Sequence, residues 1–454
     1  MAETLFELAD ALNCMRPAED RAVANVTTDT RRIAPGDLFV ALRGASFDGH
    51  DFIDQALEQG AVAVVCEPGT VSQDVPSLIV PDTRLAFGLI ARARRRRWEG
   101  RLLAVTGNSG KTTVKEMLGA IASRHASTLV TEGNLNNDFG APMTLLRLEA
   151  EHRLAVVELG ANHIGEIAWT ASLARPEVAV ITNVTGAHIG EFGSRGLIAQ
   201  AKGELVQALP DAGTAVLNVD DDYFPLWAAM ASPRRVIGFG LDPRADITAR
   251  EIEQDARGCC SFELMIDGDS AGRVTLGVLG RYNVSNALAA AAGAWSLGVS
   301  FETIRAGLEA FRAGKGRMRT LLGLRGACVL DDTYNANPGA MRAAIDVVAA
   351  MPAPRWCVLG AMGELGEHSA EAHRALGDYA RDKGIDTVCT FGPEAARTAA
   401  AFGANGHHFE RFDTLEQFSI DHLPAHASVL IKGSRSARME RLVDALTAGA
   451  FEQG

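Results

Sequence analysis

The sequence predicts an α/β protein of three units, on three observations. Strand-like apolar runs alternate with helix-length segments through almost all of the 454 residues, the pattern of largely parallel sheets. A chain of this length is too long for a single core. A glycine-rich loop lies directly between a strand and a helix near Thr106. The expected units are a small N-terminal α/β domain at 1–98, a central parallel-sheet domain of the P-loop NTPase kind at 99–313, and a Rossmann-like C-terminal domain at 314–454.

In the first unit, Asp37-Leu-Phe-Val-Ala-Leu and Ala61-Val-Ala-Val-Val-Cys read as strands around a short helix at 51–59. A helix from about Thr83 to Trp98 closes it and ends in four arginines, Arg94 to Arg97. Cations favour a helix C-terminus, so these read as a solvated helix end, with a phosphate-binding patch as the alternative. The second unit opens with Leu102-Leu-Ala-Val-Thr and continues through strands beginning at Leu154, Val178 and Thr214. Ala313-Gly-Lys-Gly-Arg317 has the glycines of a linker. Beyond it, strands beginning at Ala327, Trp356, Asp386 and Ser428 alternate with helical stretches.

Composition narrows the function. The net charge of −12 argues against a protein that tracks nucleic-acid phosphates, yet leaves room for a local nucleotide site. The first residues are acidic where a signal peptide would be basic, and no apolar run approaches the roughly 20 residues of a membrane helix. A cytoplasmic protein is expected, with no membrane or nucleic-acid partner. The seven cysteines include no C-x-x-C pair, and Cys66, Cys328, Cys357 and Cys389 fall inside apolar strands, so they read as reduced core thiols.

Thr106-Gly107-Asn108-Ser109-Gly110-Lys111-Thr112-Thr113 follows a strand and opens a helix. Backbone N–H groups in that geometry cradle phosphates, a lysine neutralises their charge, and a hydroxyl following it ligates Mg²⁺. The loop is a variant, with Val105 where the standard pattern begins on glycine and Gly107 supplying the early turn. Glu158 ends an apolar strand, which suits a metal ligand if the strands neighbour, or a plain surface carboxylate otherwise. His188 follows another strand end in a glycine-rich loop, where a structural role competes with a second metal. Lys202 alone reads as an ordinary helix lysine.

Together, Thr106–Thr113, the Glu158 strand end, the His188 loop and Ala201-Lys-Gly-Glu resemble the central domain of the Mur ligases, the ATP-dependent amide-forming enzymes of peptidoglycan assembly. The resemblance spans essentially the whole chain. Thr28-Asp-Thr-Arg31, Gly36 to Gly44 and Asp48-Gly-His-Asp-Phe52 look like the family's UDP-sugar-binding domain. Asp331 to Pro338 and Leu430-Ile-Lys-Gly-Ser-Arg435 look like its C-terminal domain. Asp332-Thr-Tyr-Asn-Ala-Asn-Pro and Thr131-Glu-Gly-Asn-Leu-Asn-Asn137 resemble the branch that joins D-alanyl-D-alanine to UDP-N-acetylmuramoyl-tripeptide.

The resemblance implies roles. Lys111 and the loop amides would hold the ATP phosphates, with Thr112 and Glu158 on one Mg²⁺ and His188 on a second. Lys202 matches a lysine that several family members carbamylate with CO₂, which would bring a carboxylate beside the metal. Asn283 and Asn286 resemble the adenine-facing stretch, and Arg317 and Asp332 the linker arginine and ribose-binding aspartate. Thr28, Asp29, Arg31, Gly44 and His50 fall in the UDP-sugar motifs and would bind that substrate. Asn134, Asn136, Asn137, Tyr334, Asn335 and Asn337 would face the peptidyl substrates. Two positions depart from the family pattern, Ala361 in place of aspartate and Tyr282 in place of histidine.

The implied enzyme is a monomer that transfers the γ-phosphoryl group of ATP to the tripeptide carboxylate. The amine of D-alanyl-D-alanine then displaces phosphate, and no Ser-His-Asp or Cys-His set is evident to supply a covalent nucleophile. The alternatives are the preceding ligase, which adds a diamino acid to UDP-MurNAc-dipeptide, and a P-loop NTPase switch with no ligated product.

Overall fold

A computed structural model of the chain describes residues 3–44, 47–72, 74–185, 192–255 and 258–447. His188 lies outside the described residues. The architecture is α/β, with helices covering mainly parallel sheets. No helix among the described residues is long and apolar enough to cross a membrane.

The first sheet is short and parallel, in the order Val26–Thr27, Leu38–Val40, Ala63–Cys66, Ser77–Ile79. Helix Thr83–Arg97 follows, capped by Asp82, whose carboxylate accepts the Arg84 and Leu85 amides at 2.8 and 2.9 Å. Its last turn corrects the solvated reading for two of the four arginines, Arg96 and Arg97 being exposed as expected. Arg94 and Arg95 are buried. A helix turns about 100° per residue, so four consecutive arginines cannot all face water when the helix packs on both sides. Arg94 forks onto Glu3 at 3.0 and 2.9 Å and reaches the Leu146 carbonyl at 2.9 Å. Arg95 caps the C-terminal end of helix Glu166–Ala174 through the Ala174 carbonyl at 2.8 Å and pairs with Glu177 at 2.9 Å. With Arg84 on Asp138, these contacts fasten the first unit to the second.

Breaking a buried pair leaves a charge without compensation. Arg94→Met is expected to lower unfolding free energy by about 3 kcal/mol, and Glu3→Leu added to it to recover most of the loss. Denaturant titration checks this, and equal stability of the single variant would remove the pair's role.

The second sheet runs Thr128–Val130, Leu154–Glu158, Arg101–Thr106, Val178–Ile181, Thr214–Asn218, Arg235–Phe239, Ile247–Gln254, Cys259–Ile266, Asp269–Leu279. Its first strands are buried on both faces. Leu103, Val105 and Val180 share one apolar cluster with residues of helix Lys111–His125, while Ala104, Val157 and Ala179 share another with residues of helix Arg195–Gln207. The last two strands pair antiparallel. That extension went unread because its strands are half exposed and carry charge, unlike the continuous apolar runs of the parallel core.

The third sheet orders Arg319–Leu322, Cys328–Asp332, Ser428–Lys432, Arg355–Gly360, Thr387–Phe391, Gly406–Phe409, parallel except for its first strand. All seven cysteines are free thiols.

Candidate active site

The sheet order places the chemistry. Strand Arg101–Thr106 lies between Leu154–Glu158 and Val178–Ile181, with Val105 opposite Glu158 and Thr106 opposite Ile181. Three strand ends therefore open on one edge, where ligands of parallel sheets bind. The loop after Thr106 needs both of its glycines. Gly107 has φ 143° and a Cβ there would stand 2.0 Å from Thr182 Oγ1. Gly110 has φ 80° and a Cβ would meet Asn286 Oδ1 at 2.4 Å. Asn183 pins the loop, its Oδ1 accepting the Ser109 amide at 3.0 Å, while Thr182 Oγ1 donates to the Ser109 carbonyl at 2.7 Å. Helix Lys111–His125 starts on Gly110 with no side-chain cap, leaving its first amides for an anion.

Lys111 Nζ donates to the Asn108 carbonyl at 3.1 Å. Burial pulls its pKa below the usual lysine range, and Glu158 and Glu364 oppose that shift. Thr112, in the same turn, is buried. Glu158 is 1% exposed. Its Oε1 accepts from Asn136 Nδ2 at 2.7 Å, while Oε2 is buried with no hydrogen-bond partner among the described residues. An ionised oxygen so placed is costly unless a cation meets it. No cluster of three His, Cys, Asp or Glu side chains that could hold a metal forms among the described residues. A cation bound by Glu158 and Thr112 would keep water and phosphate oxygens for the rest of its shell, as Mg²⁺ does.

Lys202 is no ordinary helix lysine. It is 1% exposed, its Nζ donates to the Ala161 carbonyl at 3.2 Å, and burial, then the nearby Lys111 charge, bring its pKa down to about 7.

The third unit closes the site. A cavity of about 620 Å³ is lined from the central unit by Ser109 to Thr113, Asn134, Asn136, Glu158, Asn283 and Asn286, and from the C-terminal unit by Arg317, Asp332, Tyr334, Asn335 and Asn337. Asn337 caps helix Pro338–Ala349 through its Oδ1, and its Nδ2 meets Ser109 Oγ across the cleft at 3.4 Å. The Arg317 guanidinium lies 3.8 Å from the Tyr334 ring centroid. Asp332 is held by Lys432 Nζ at 2.6 Å. Asn283 donates to the Leu279 carbonyl and Asn286 to Asn283.

Three models match along the chain. Residues 22–101 match "Mur ligase family, catalytic domain", 105–294 "Mur ligase middle domain", and 316–435 "Mur ligase, glutamate ligase domain". The chain belongs to the Mur ligase family. It is 45% identical over 98% of both chains to the UDP-N-acetylmuramoyl-tripeptide--D-alanyl-D-alanine ligase of Escherichia coli. MurF from Acinetobacter baumannii has the same fold, with a TM-score of 0.92 at 37% identity over 99% of each chain. MurF ligase from Thermotoga maritima, solved in complex with ADP, aligns at a TM-score of 0.85 and 29% identity over 95% of this chain and 98% of that one.

Other expected residues of this Mur ligase stand elsewhere. Thr106 is buried and donates to the Leu159 carbonyl, a structural bond. Asn137 Oδ1 accepts the Gly140 amide and so starts helix Gly140–Leu146. In the first unit Thr28 is half-buried, and Arg31 lies largely exposed, holding the Asp29 carboxyl down at about 2 through their hydrogen bonds. Gly44 is tied to the Phe47 carbonyl. His50 needs correction as a ligand-facing ring. Its Nδ1 meets Asp48 at 2.6 Å and its Nε2 accepts the Glu67 amide at 3.1 Å, so both nitrogens are committed to the loop.

Sequence reasoning missed Thr182, Asn183, Glu364 and Lys432 in this Mur ligase. Thr182 directly follows strand Val178–Ile181 and Lys432 ends Ser428–Lys432, so strand ends were the available signal. Glu364, with φ 61°, lines the cavity on the loop that carries Ala361. Ala361 donates its amide to the Phe391 carbonyl and accepts the Ser434 amide.

Proposed function

We propose that this enzyme joins D-alanyl-D-alanine to UDP-N-acetylmuramoyl-tripeptide at the expense of ATP, in cytoplasmic peptidoglycan precursor synthesis. The full-length match to the E. coli ligase carries the substrate assignment. The joint between a phosphate-loop helix and the unpartnered Glu158 oxygen suits phosphoryl transfer.

Lys111 and the uncapped amides of its helix hold the nucleotide's phosphates and offset the repulsion between two anions. Thr112 and Glu158 would hold Mg²⁺, which when bound would supply Lewis-acid charge at the phosphoryl group. Asn136 keeps Glu158 pointed into the cavity. Asn283 and Asn286 face the base, while Arg317 and Asp332 bring the C-terminal wall onto the nucleotide. Closure of that wall excludes water from the acyl phosphate formed on the tripeptide. The dipeptide's free amine adds to the acyl carbon, forming the C–N bond of a tetrahedral intermediate; its collapse breaks the C–O bond, phosphate leaves with that electron pair, and the nitrogen's extra proton passes to solvent or phosphate.

The test is phosphate release with each substrate singly and together, with products weighed by mass spectrometry. A pentapeptide product appearing only with both substrates supports the assignment. Incorporation of a free diamino acid overturns it in favour of the preceding ligase, and phosphate without a new amide overturns it in favour of a switch.

Lys202 gives a pH prediction. With its pKa at about 7, the amine is neutral on the alkaline side of that value and able to add CO₂, forming the carbamate proposed here. Acidification protonates it, so at about pH 6 roughly nine-tenths would be charged and unreactive. Removing bicarbonate is therefore expected to depress activity, more steeply as pH falls, with a carbamate ¹³C signal absent from Lys202→Arg. Indifference to bicarbonate at every pH would dismiss the modification.

A further inference from the structure

Lys115 stands one turn beyond Lys111 on the same helix and is 1% exposed. An apolar side chain of that length would pack against the sheet without the cost of burying an ammonium group. Its Nζ donates to the Thr131 carbonyl at 2.9 Å and reaches the Gly133 carbonyl at 3.4 Å, with the Glu116 carboxylate 3.6 Å away. Burial pulls its pKa down, and the charge of Glu158 is the largest influence opposing that.

Both carbonyls belong to the segment that grips Glu158. The Glu158 amide donates to Thr131 Oγ1 at 3.1 Å, Asn136 Nδ2 donates to Glu158 Oε1 at 2.7 Å, and the Gly160 amide donates to the Asn136 carbonyl at 2.8 Å. Lys115 thus ties the phosphate-loop helix to the segment that decides which Glu158 oxygen is occupied.

We infer that Lys115 is a positioning residue. It fixes the Thr131–Asn137 segment so that Asn136 takes Oε1 of Glu158 and leaves Oε2 for the cation, an inference that rests on the role given to Glu158 above. Its action runs through Asn136, so losing either residue should have the same consequence.

The test compares Lys115→Met, Asn136→Leu and the double variant with the parent enzyme. The parent must first make the pentapeptide; if it does not, the reaction assignment fails, and this inference is judged on the binding readouts alone. Lys115→Met is expected to melt at or above the parent temperature and to bind ADP normally without metal. It should need more Mg²⁺ to tighten ADP, and lose about 10–100-fold in kcat/KM for the tripeptide. The double variant should fall no more than about threefold below Asn136→Leu, since residues acting through one contact are not additive. Parent-like Mg²⁺ dependence, or losses that multiply in the double variant, would overturn the inference. Should Lys115→Met fail to fold, Lys115→Arg keeps the charge and changes the reach. A shifted Mg²⁺ dependence in that folded variant supports the inference, and an unshifted one overturns it.

Discussion

Lys111→Ala is expected to lose at least about a thousandfold in kcat/KM while melting within a few degrees of the parent protein. Among the described residues, Lys111 donates to the Asn108 carbonyl. Its charge is half-buried and faces Glu158 and Glu364 with Arg317 nearby, so stability terms of opposite sign offset when it is removed. Its natural partner is the ligand's phosphate. The pKa direction adds a second readout. A lysine held below its usual range loses its proton at lower pH, so the alkaline limb of the parent's activity should begin short of ordinary lysine titration. Steady-state kinetics over a pH series, beside a melting curve of the variant, decide the matter. Activity within a few-fold of the parent would remove Lys111 from the mechanism.

The legible parts of this protein are those in which one local pattern settles the structure. Strands Leu154–Glu158, Thr214–Asn218 and Ser428–Lys432 begin at the residues expected of them, because a parallel strand buried on both faces is an unbroken apolar run. The phosphate loop was equally plain, since a lysine and glycines between a strand and a helix have few other uses. What the sequence hid depends on partners distant along the chain. Arg94 looked solvated because its partner Glu3 lies 91 residues away. Lys202 looked ordinary because its burial comes from packing on the central sheet. His50 matched a ligand-facing motif, yet Asp48 and the Glu67 amide take its nitrogens. Motifs locate a site, but only packing tells which of their atoms are still available to a ligand.

That distinction is sharpest at Glu158, where Glu158→Gln should separate a ligand from a counter-ion. The amide has nearly the shape of the carboxylate, and its oxygen can still accept from Asn136 Nδ2. At the position of Oε2 it presents N–H donors, which cannot ligate a cation. Activity is therefore expected to fall by about a thousandfold, with the Mg²⁺ dependence of nucleotide binding flattened. Stability should move the other way or stay level. A neutral amide is cheaper to bury than a carboxylate oxygen with no partner, and this offsets the attraction to Lys111 and Lys115 that is lost. A melting temperature many degrees lower would show that Glu158 is there chiefly to balance these two lysines. An inactive variant at least as stable as its parent would mean that the fold bears an unpaired carboxylate oxygen for the sake of the ligand.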